Sequence, residues 1–226
     1  MLALRRRRPL VRRIVVGGAL VALVGACGAA NPAADDAQVQ RGLDAIDGIE
    51  QDGFTLGDPQ APWTLSIISS PTSFELDALI TELPELTRRF VRPGRLKLQM
   101  RTPTKGAYGV NGEERDVAGV LLAAGLQDHY WNALVRFVPR YRGGTRLADL
   151  AALLRRSAVP DVALAMTQRS SPRIRAALDR ADEVAAAAEG GGRLVYLLAR
   201  GADEPRRLSF EKELRTLTDE VGGSLR

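Results

Sequence analysis

The chain has 226 residues, 45% of them hydrophobic and 26% charged, which is ample for one domain with its own core. One cysteine and one histidine exclude a disulfide-stapled scaffold and leave only carboxylates to hold a metal, and Asp35-Asp36, Glu113-Glu114 and Asp182-Glu183 show no calcium-loop pattern. The net charge is +5, but residues 1–26 hold six arginines and no Asp or Glu, so the remainder carries about −1 and nucleic acid is set aside as a partner.

The chain opens with Arg5 to Arg8, Arg12 and Arg13, followed by the apolar run of residues 14–26. That run is too short to span a bilayer comfortably and suits the apolar core of an export signal. Its end, Val24-Gly25-Ala26-Cys27, resembles a bacterial lipobox. The resemblance implies that residues 1–26 are removed and that Cys27 carries the lipid which anchors the protein at the outer face of the cytoplasmic membrane. No thiol then remains for disulfide exchange, which needs a free thiolate. Residues 27–42 are rich in Ala, Asp, Gln and Gly and are read as a flexible tether, with the domain occupying residues 43–226.

Leu43, Ile46 and Ile49 suggest a short helical turn, and Gly53, Gly57, Pro59 and Pro62 are breakers before the next element. Trp63 to Ser69 is a short β-branched run, as expected of a buried strand. A helix comes next, with Leu76, Leu79 or Ile80, Leu83, Leu86 and Phe90 on one face, a capping box of Thr72 with Glu75 at its start and a kink at Pro84. Leu96, Leu98 and Met100 alternate with charged and polar neighbours, predicting a second strand parallel to the first across the crossover. The loop of residues 102–112 lacks the Gly-Lys-Ser/Thr ending of a phosphate-binding loop, so its glycines are assigned to turns.

Helical stripes occur at Val117 to Ala124, at Tyr130 to Val138 and at Leu147 to Leu154, and a longer helix at residues 172–188. Residues 193–199 are a third buried strand, 206–210 an edge strand and 211–221 a closing helix. Tyr130 and Trp131 are assigned to the core over a ligand pocket, because Leu134 and Val138 share their face. Arg136, Arg140, Arg142 and Arg146 are assigned to a solvated face over a patch for anionic lipid. A serine nucleophile among Ser69, Ser70 and Ser73 with His129 as base is set aside, since serines at helix starts are chiefly caps.

The order β-α-β, helices, α-β-β-α resembles a DsbA-like thioredoxin fold, an α/β class with a central mixed sheet flanked by helices and a helical insertion between the second and third core strands. The insertion spans about residues 113–170. Leu56-Gly57-Asp58-Pro59-Gln60-Ala61-Pro62 resembles the family's entry segment, Leu83-Pro84-Glu85-Leu86 its proline-kinked first helix, residues 125–137 its aromatic insertion helix, and Ser171-Pro172 the start of its long helix.

The resemblance also shows what has departed. Redox members place Cys-x-x-Cys at the first helix start, where this chain has Ser69-Ser70-Pro71-Thr72-Ser73-Phe74-Glu75, with Thr72 and Glu75 at the cysteine positions. The family's cis-proline is replaced by Gly190-Gly191-Gly192-Arg193. The expectation is a noncatalytic, membrane-tethered binding or assembly module without cofactor or metal. Its partner would be an exported polypeptide or a membrane protein. Its groove would lie between Ser70, Pro71, Thr72, Ser73 and Glu75 on one side and Gly192 and Arg193 on the other. The alternatives are a thiol-disulfide oxidoreductase by inheritance and a structural subunit of a membrane complex.

Overall fold

In chain order the elements are helix α1 (Pro32–Ile46), the short strands β1 (Gln51–Asp52) and β2 (Thr55–Leu56), strand β3 (Trp63–Ile68), helix α2 (Leu76–Leu86) and strand β4 (Leu96–Arg101). Helices α3 (Gly112–Gly125), α4 (Tyr130–Phe137), α5 (Leu147–Arg156) and α6 (Val162–Gln168) lead to the long helix α7 (Pro172–Ala187). Strands β5 (Val195–Arg200) and β6 (Arg206–Arg207) and helix α8 (Leu217–Ser224) complete the order. This computed structural model describes residues 32–105, 112–141, 146–188, 194–208 and 217–225. Residues 1–26, expected to be an export signal, together with Cys27, Gly192 and Arg193, therefore lie outside the described residues, as do residues 209–216.

The sheet runs β1-β2-β4-β3-β5-β6. Among the described strands only β3 and β4 are parallel, with Trp63 opposite Leu96 and Ile68 opposite Arg101, as a crossover through α2 requires. β5 lies antiparallel on the other side of β3, with Leu65 opposite Leu198 and Ile67 opposite Tyr196. Because side chains alternate, this register gathers Leu65, Ile67, Leu98, Met100 and Leu198 on one face. They form one buried cluster with Leu76, Leu79, Ile80, Leu83 and Leu86 of α2. The opposite face is covered where Ile68 and Val195 pack against Ala185 of α7.

Pro84 bends the expectation without breaking the helix. α2 runs through it and then widens over Thr87–Val91 into a π turn, in which the Arg92 N–H reaches the Thr87 carbonyl. The Thr87 hydroxyl donates to the Leu83 and Pro84 carbonyls, at 2.8 and 3.0 Å. Tyr130 and Trp131 are both fully buried, and the Trp131 indole N–H donates to the Phe54 carbonyl at 3.2 Å. They are core, and burial pushes the Tyr130 phenol far above its ordinary pKa.

The tether reading needs correction over residues 32–42. These residues belong to α1, which buries Val39, Ala45 and Ile46 against α2 and α4. Val39, Leu43 and Ile46 form an apolar stripe, and a domain boundary at residue 43 cuts it. The approach is close, since a Cβ on Gly42 would meet Val135 Cγ1 at 2.7 Å. Arg92 completes the helix by donating to the carbonyls of Ala45 and Asp47 at 3.1 and 2.8 Å, a cation at the negative end of the helix dipole.

Two further differences have local causes. The segment read as breakers contains β1 and β2, two-residue strands too short to show a period. Gly57 beyond them has φ +108°, and a Cβ there would lie 2.7 Å from Val91. Helix α6 adds to the expected elements; Asp161 starts it by accepting the Leu164 N–H at 2.8 Å. At the other end of the chain, β6 covers Arg206–Arg207 of the expected edge strand, and α8 is described from Leu217.

Candidate functional site

Strand β3 ends at Ile68, and the next residue is tied across the sheet by its N–H to the Arg101 carbonyl at 3.0 Å. Ser69 and Ser70 are buried polar residues and spend their hydroxyls locally. Ser69 donates to the Ser70 carbonyl, and the Ser70 and Thr72 hydroxyls share a 2.7 Å hydrogen bond. The Ser73 Oγ accepts the Glu75 N–H at 3.3 Å. These side chains hold a series of turns over residues 70–75, and α2 begins only at Leu76.

The capping box of Thr72 with Glu75 is therefore not formed, and no side chain caps α2. Glu75 is used elsewhere: its Oε2 accepts the Leu194 N–H at 2.6 Å. This short charge-assisted bond ties the helix start to the entry of β5, residues 119 positions apart. No hydrogen bond joins His129 to Ser69, Ser70 or Ser73; His129 precedes α4 with its Nδ1 buried and unpartnered. Among the described residues no group of three or more His, Cys, Asp or Glu side chains is placed to hold a metal ion.

Beside this junction is an open groove of about 640 Å³ between α2, β5 and α8. Phe74, Ala78, Leu194 and Leu217 supply apolar surface, and Glu75, Asp77 and Glu82 supply carboxylates. Phe74 is 87% exposed, a costly position for a large apolar ring. Asp77 is held by Gln38 of α1 at 3.1 Å. Glu82 accepts both the N–H and the hydroxyl of Thr218, at 3.0 and 3.2 Å. Tyr196 is buried in the groove wall, and burial, then Glu82 and Glu75, push its phenol well above its ordinary pKa, so it stays neutral.

Of the candidate groove residues, Glu75 alone among the described ones lines this groove; Ser70, Pro71, Thr72 and Ser73 form the turns next to it. Sequence reading missed Phe74, Asp77, Thr81, Glu82, Tyr196 and Leu217. A signal was present in α2. Phe74, Ala78 and Thr81 recur at helical spacing away from the buried leucine face, and an aromatic residue on a polar face marks such a position.

Compared by sequence, the chain matches no protein family and no curated protein. Compared by structure, it resembles BdbD from Bacillus subtilis with a TM-score of 0.60 at 12% identity, covering 79% of this chain and 96% of that one. A thioredoxin-like oxidoreductase from Silicibacter pomeroyi gives 0.57 at 17%, covering 80% and 96%. DsbA2 from Pseudomonas aeruginosa gives 0.55 at 14%, covering 79% and 97%. The chain thus has a DsbA-like thioredoxin fold: a mixed sheet flanked by helices, with α3 to α6 inserted between β4 and β5.

Proposed function

We propose that this protein is a noncatalytic, membrane-tethered binding module that holds an extended segment of an exported polypeptide in the groove beside the start of α2. The observation that carries the reading is Glu75. In a chain whose one cysteine is Cys27, the helix start that carries Cys-x-x-Cys in redox relatives instead carries a carboxylate committed to the Leu194 N–H. The groove beside it combines the exposed Phe74 ring with Glu75, Asp77 and Glu82. An apolar side chain flanked by Lys or Arg suits that surface, with the ring covering the apolar group and the carboxylates attracting the cations.

The anchor in this proposal is lipid on Cys27, carried by the lipobox-like Val24-Gly25-Ala26-Cys27 and placing the domain at the outer face of the cytoplasmic membrane. Among the described residues no helix is long and apolar enough to cross a membrane. The fold it shares with oxidoreductases supports a second reading, thiol-disulfide exchange through an unmodified Cys27.

One set of samples tests both. Intact mass of membrane-extracted protein should show a diacylglyceryl adduct that Cys27→Ala abolishes, with no insulin reduction by either form. A fluorescent peptide with a central Leu flanked by arginines should bind roughly tenfold more weakly to Phe74→Ser, about 1.4 kcal/mol, and weakly to all forms when glutamates replace its arginines. Equal binding of both peptides would defeat the groove reading. A free Cys27 thiol with reductase activity would establish the oxidoreductase.

A further inference from the structure

A second pocket lies on the other side of the sheet, at the carboxyl end of β4, between the β1–β2 turn and α7. Arg101 and Arg180 line it with Phe54, Thr102, Leu122 and Ala181. The Arg101 guanidinium lies over the Phe54 ring, 5.2 Å from its centre, and donates to Gln99 Oε1 at 2.7 Å. Thr102 beside it is buried. The carboxyl ends of parallel strands are where open α/β sheets receive ligands.

Among the described residues the two guanidiniums lack a counter-charge: neither has a carboxylate within ion-pair distance, and Asp179 and Asp182 of α7 are engaged elsewhere. Asp179 pairs with Lys105 at 3.1 Å and with Arg115 at 3.8 Å. Asp182 accepts the N–H groups of Thr104 and Lys105 at 2.6 and 3.0 Å. Burial and the like charge of Arg180 both lower the Arg101 pKa, so the protein holds this cation in place against a cost. A pair of like charges facing one pocket, one partly buried and backed by an aromatic ring, is poised for an anion.

The pocket holds about 20 Å³ of water-sized space. That is room for one or two oxygen-sized atoms, given roughly 10–15 Å³ for one such sphere. From this geometry we infer that the Arg101–Arg180 pocket binds a phosphate oxyanion, seating one edge of the group between the two guanidiniums with its remaining oxygens in solvent. Guanidinium forks match that edge, and two positive charges match a phosphate better than a single carboxylate does. The phosphate is either free or part of an anionic lipid headgroup.

Thermal unfolding of the full chain tests this, with inorganic phosphate titrated against sodium chloride at constant ionic strength. The wild type should gain roughly 3–5 °C at a tenfold excess of phosphate over its Kd. Arg180→Gln, changed at an exposed position and removing the like charge beside Arg101, should melt no lower than wild type and lose the gain. Arg180→Glu should melt higher without phosphate and show no response, because it supplies the missing carboxylate. Vesicles of phosphatidylglycerol, with phosphatidylcholine as control, separate the sources. Sedimentation that requires Arg180 and is competed by phosphate assigns a lipid headgroup; a phosphate response without sedimentation assigns the free ion. An absent phosphate response, or one equal in wild type and Arg180→Gln, overturns the proposal.

Discussion

The same dipeptide precedes two helices of this protein and is used differently. At Ser171-Pro172 the serine hydroxyl accepts the Ile174 N–H at 3.3 Å, and the proline enters the first turn, where its missing N–H costs nothing. At Ser70-Pro71 the hydroxyl turns to Thr72, and the helix waits until Leu76 with no side-chain cap. The carboxylate that a cap would have used goes to the Leu194 N–H on β5. The start of α7 is settled by its own sequence, whereas the start of α2 gives up local satisfaction for a long-range tie. Departures of this kind gather at functional sites.

Removing the tie tests this contrast most severely. Glu75→Ala should cost about 2 kcal/mol in urea unfolding, since it deletes a charge-assisted bond to a partly buried N–H, and should raise amide exchange at Leu194. Glu75→Gln retains an acceptor and should recover roughly half of that loss. A stability unchanged in Glu75→Ala would make α2 an ordinary helix start.

Next in size is the conventional cap. Ser171→Ala should cost about 1 kcal/mol, whereas Ser70→Ala, whose hydroxyl serves only a local turn, should cost roughly 0.5 kcal/mol or less. Equal losses at the two serines would erase the distinction between the two helix starts. Ala158 offers a third terminus: it lies just beyond α5 with φ +57°, a conformation suited to glycine. Ala158→Gly should gain about 0.5 kcal/mol, read as a higher urea midpoint with an unchanged slope.

The smallest effect concerns pH. Arg146 holds the Asp149 carboxyl of α5 below its ordinary pKa, and Lys105 does the same for Asp179 of α7, chiefly through side-chain hydrogen bonds. A carboxyl with a lowered folded-state pKa adds stability above its unfolded value, and that stability is lost as pH falls through the lowered one. Stability should therefore decline gently below about pH 4, where unfolded aspartates titrate, and 1 M salt should flatten the decline because both pairs are exposed. A slope indifferent to salt would assign the acid loss to other groups.

Much of the architecture could be read from one sequence because it is written as periodicity. The alternation of Leu96, Leu98 and Met100 marked β4, the leucines of residues 76–86 marked the buried face of α2, and Ser171-Pro172 marked the start of α7. What escaped reading depends on distant partners. β1 and β2 exist because Leu56 can pair with Leu98, and the early turns of α1 hold because Val39 meets a core assembled from α2 and α4. The candidate site was legible as a place, the segment between β3 and α2, but not as an arrangement. Nothing local in Glu75 announces that Leu194 is its partner, whereas Phe74, an aromatic residue off the leucine face, carried a signal of its own.

The burial of Trp131 gives the molecule an optical property. The chain has two tryptophans, and the other, Trp63, is partly exposed beside the Arg200 guanidinium, 5.9 Å from its ring centre. The Trp131 indole is fixed to the Phe54 carbonyl, and the ring of that same Phe54 lies under Arg101. A shift of Phe54 should therefore change the surroundings of a chromophore shielded from water. In a Trp63→Phe background, the emission of Trp131 becomes a built-in reporter of what happens at the edge of the sheet, with no dye attached.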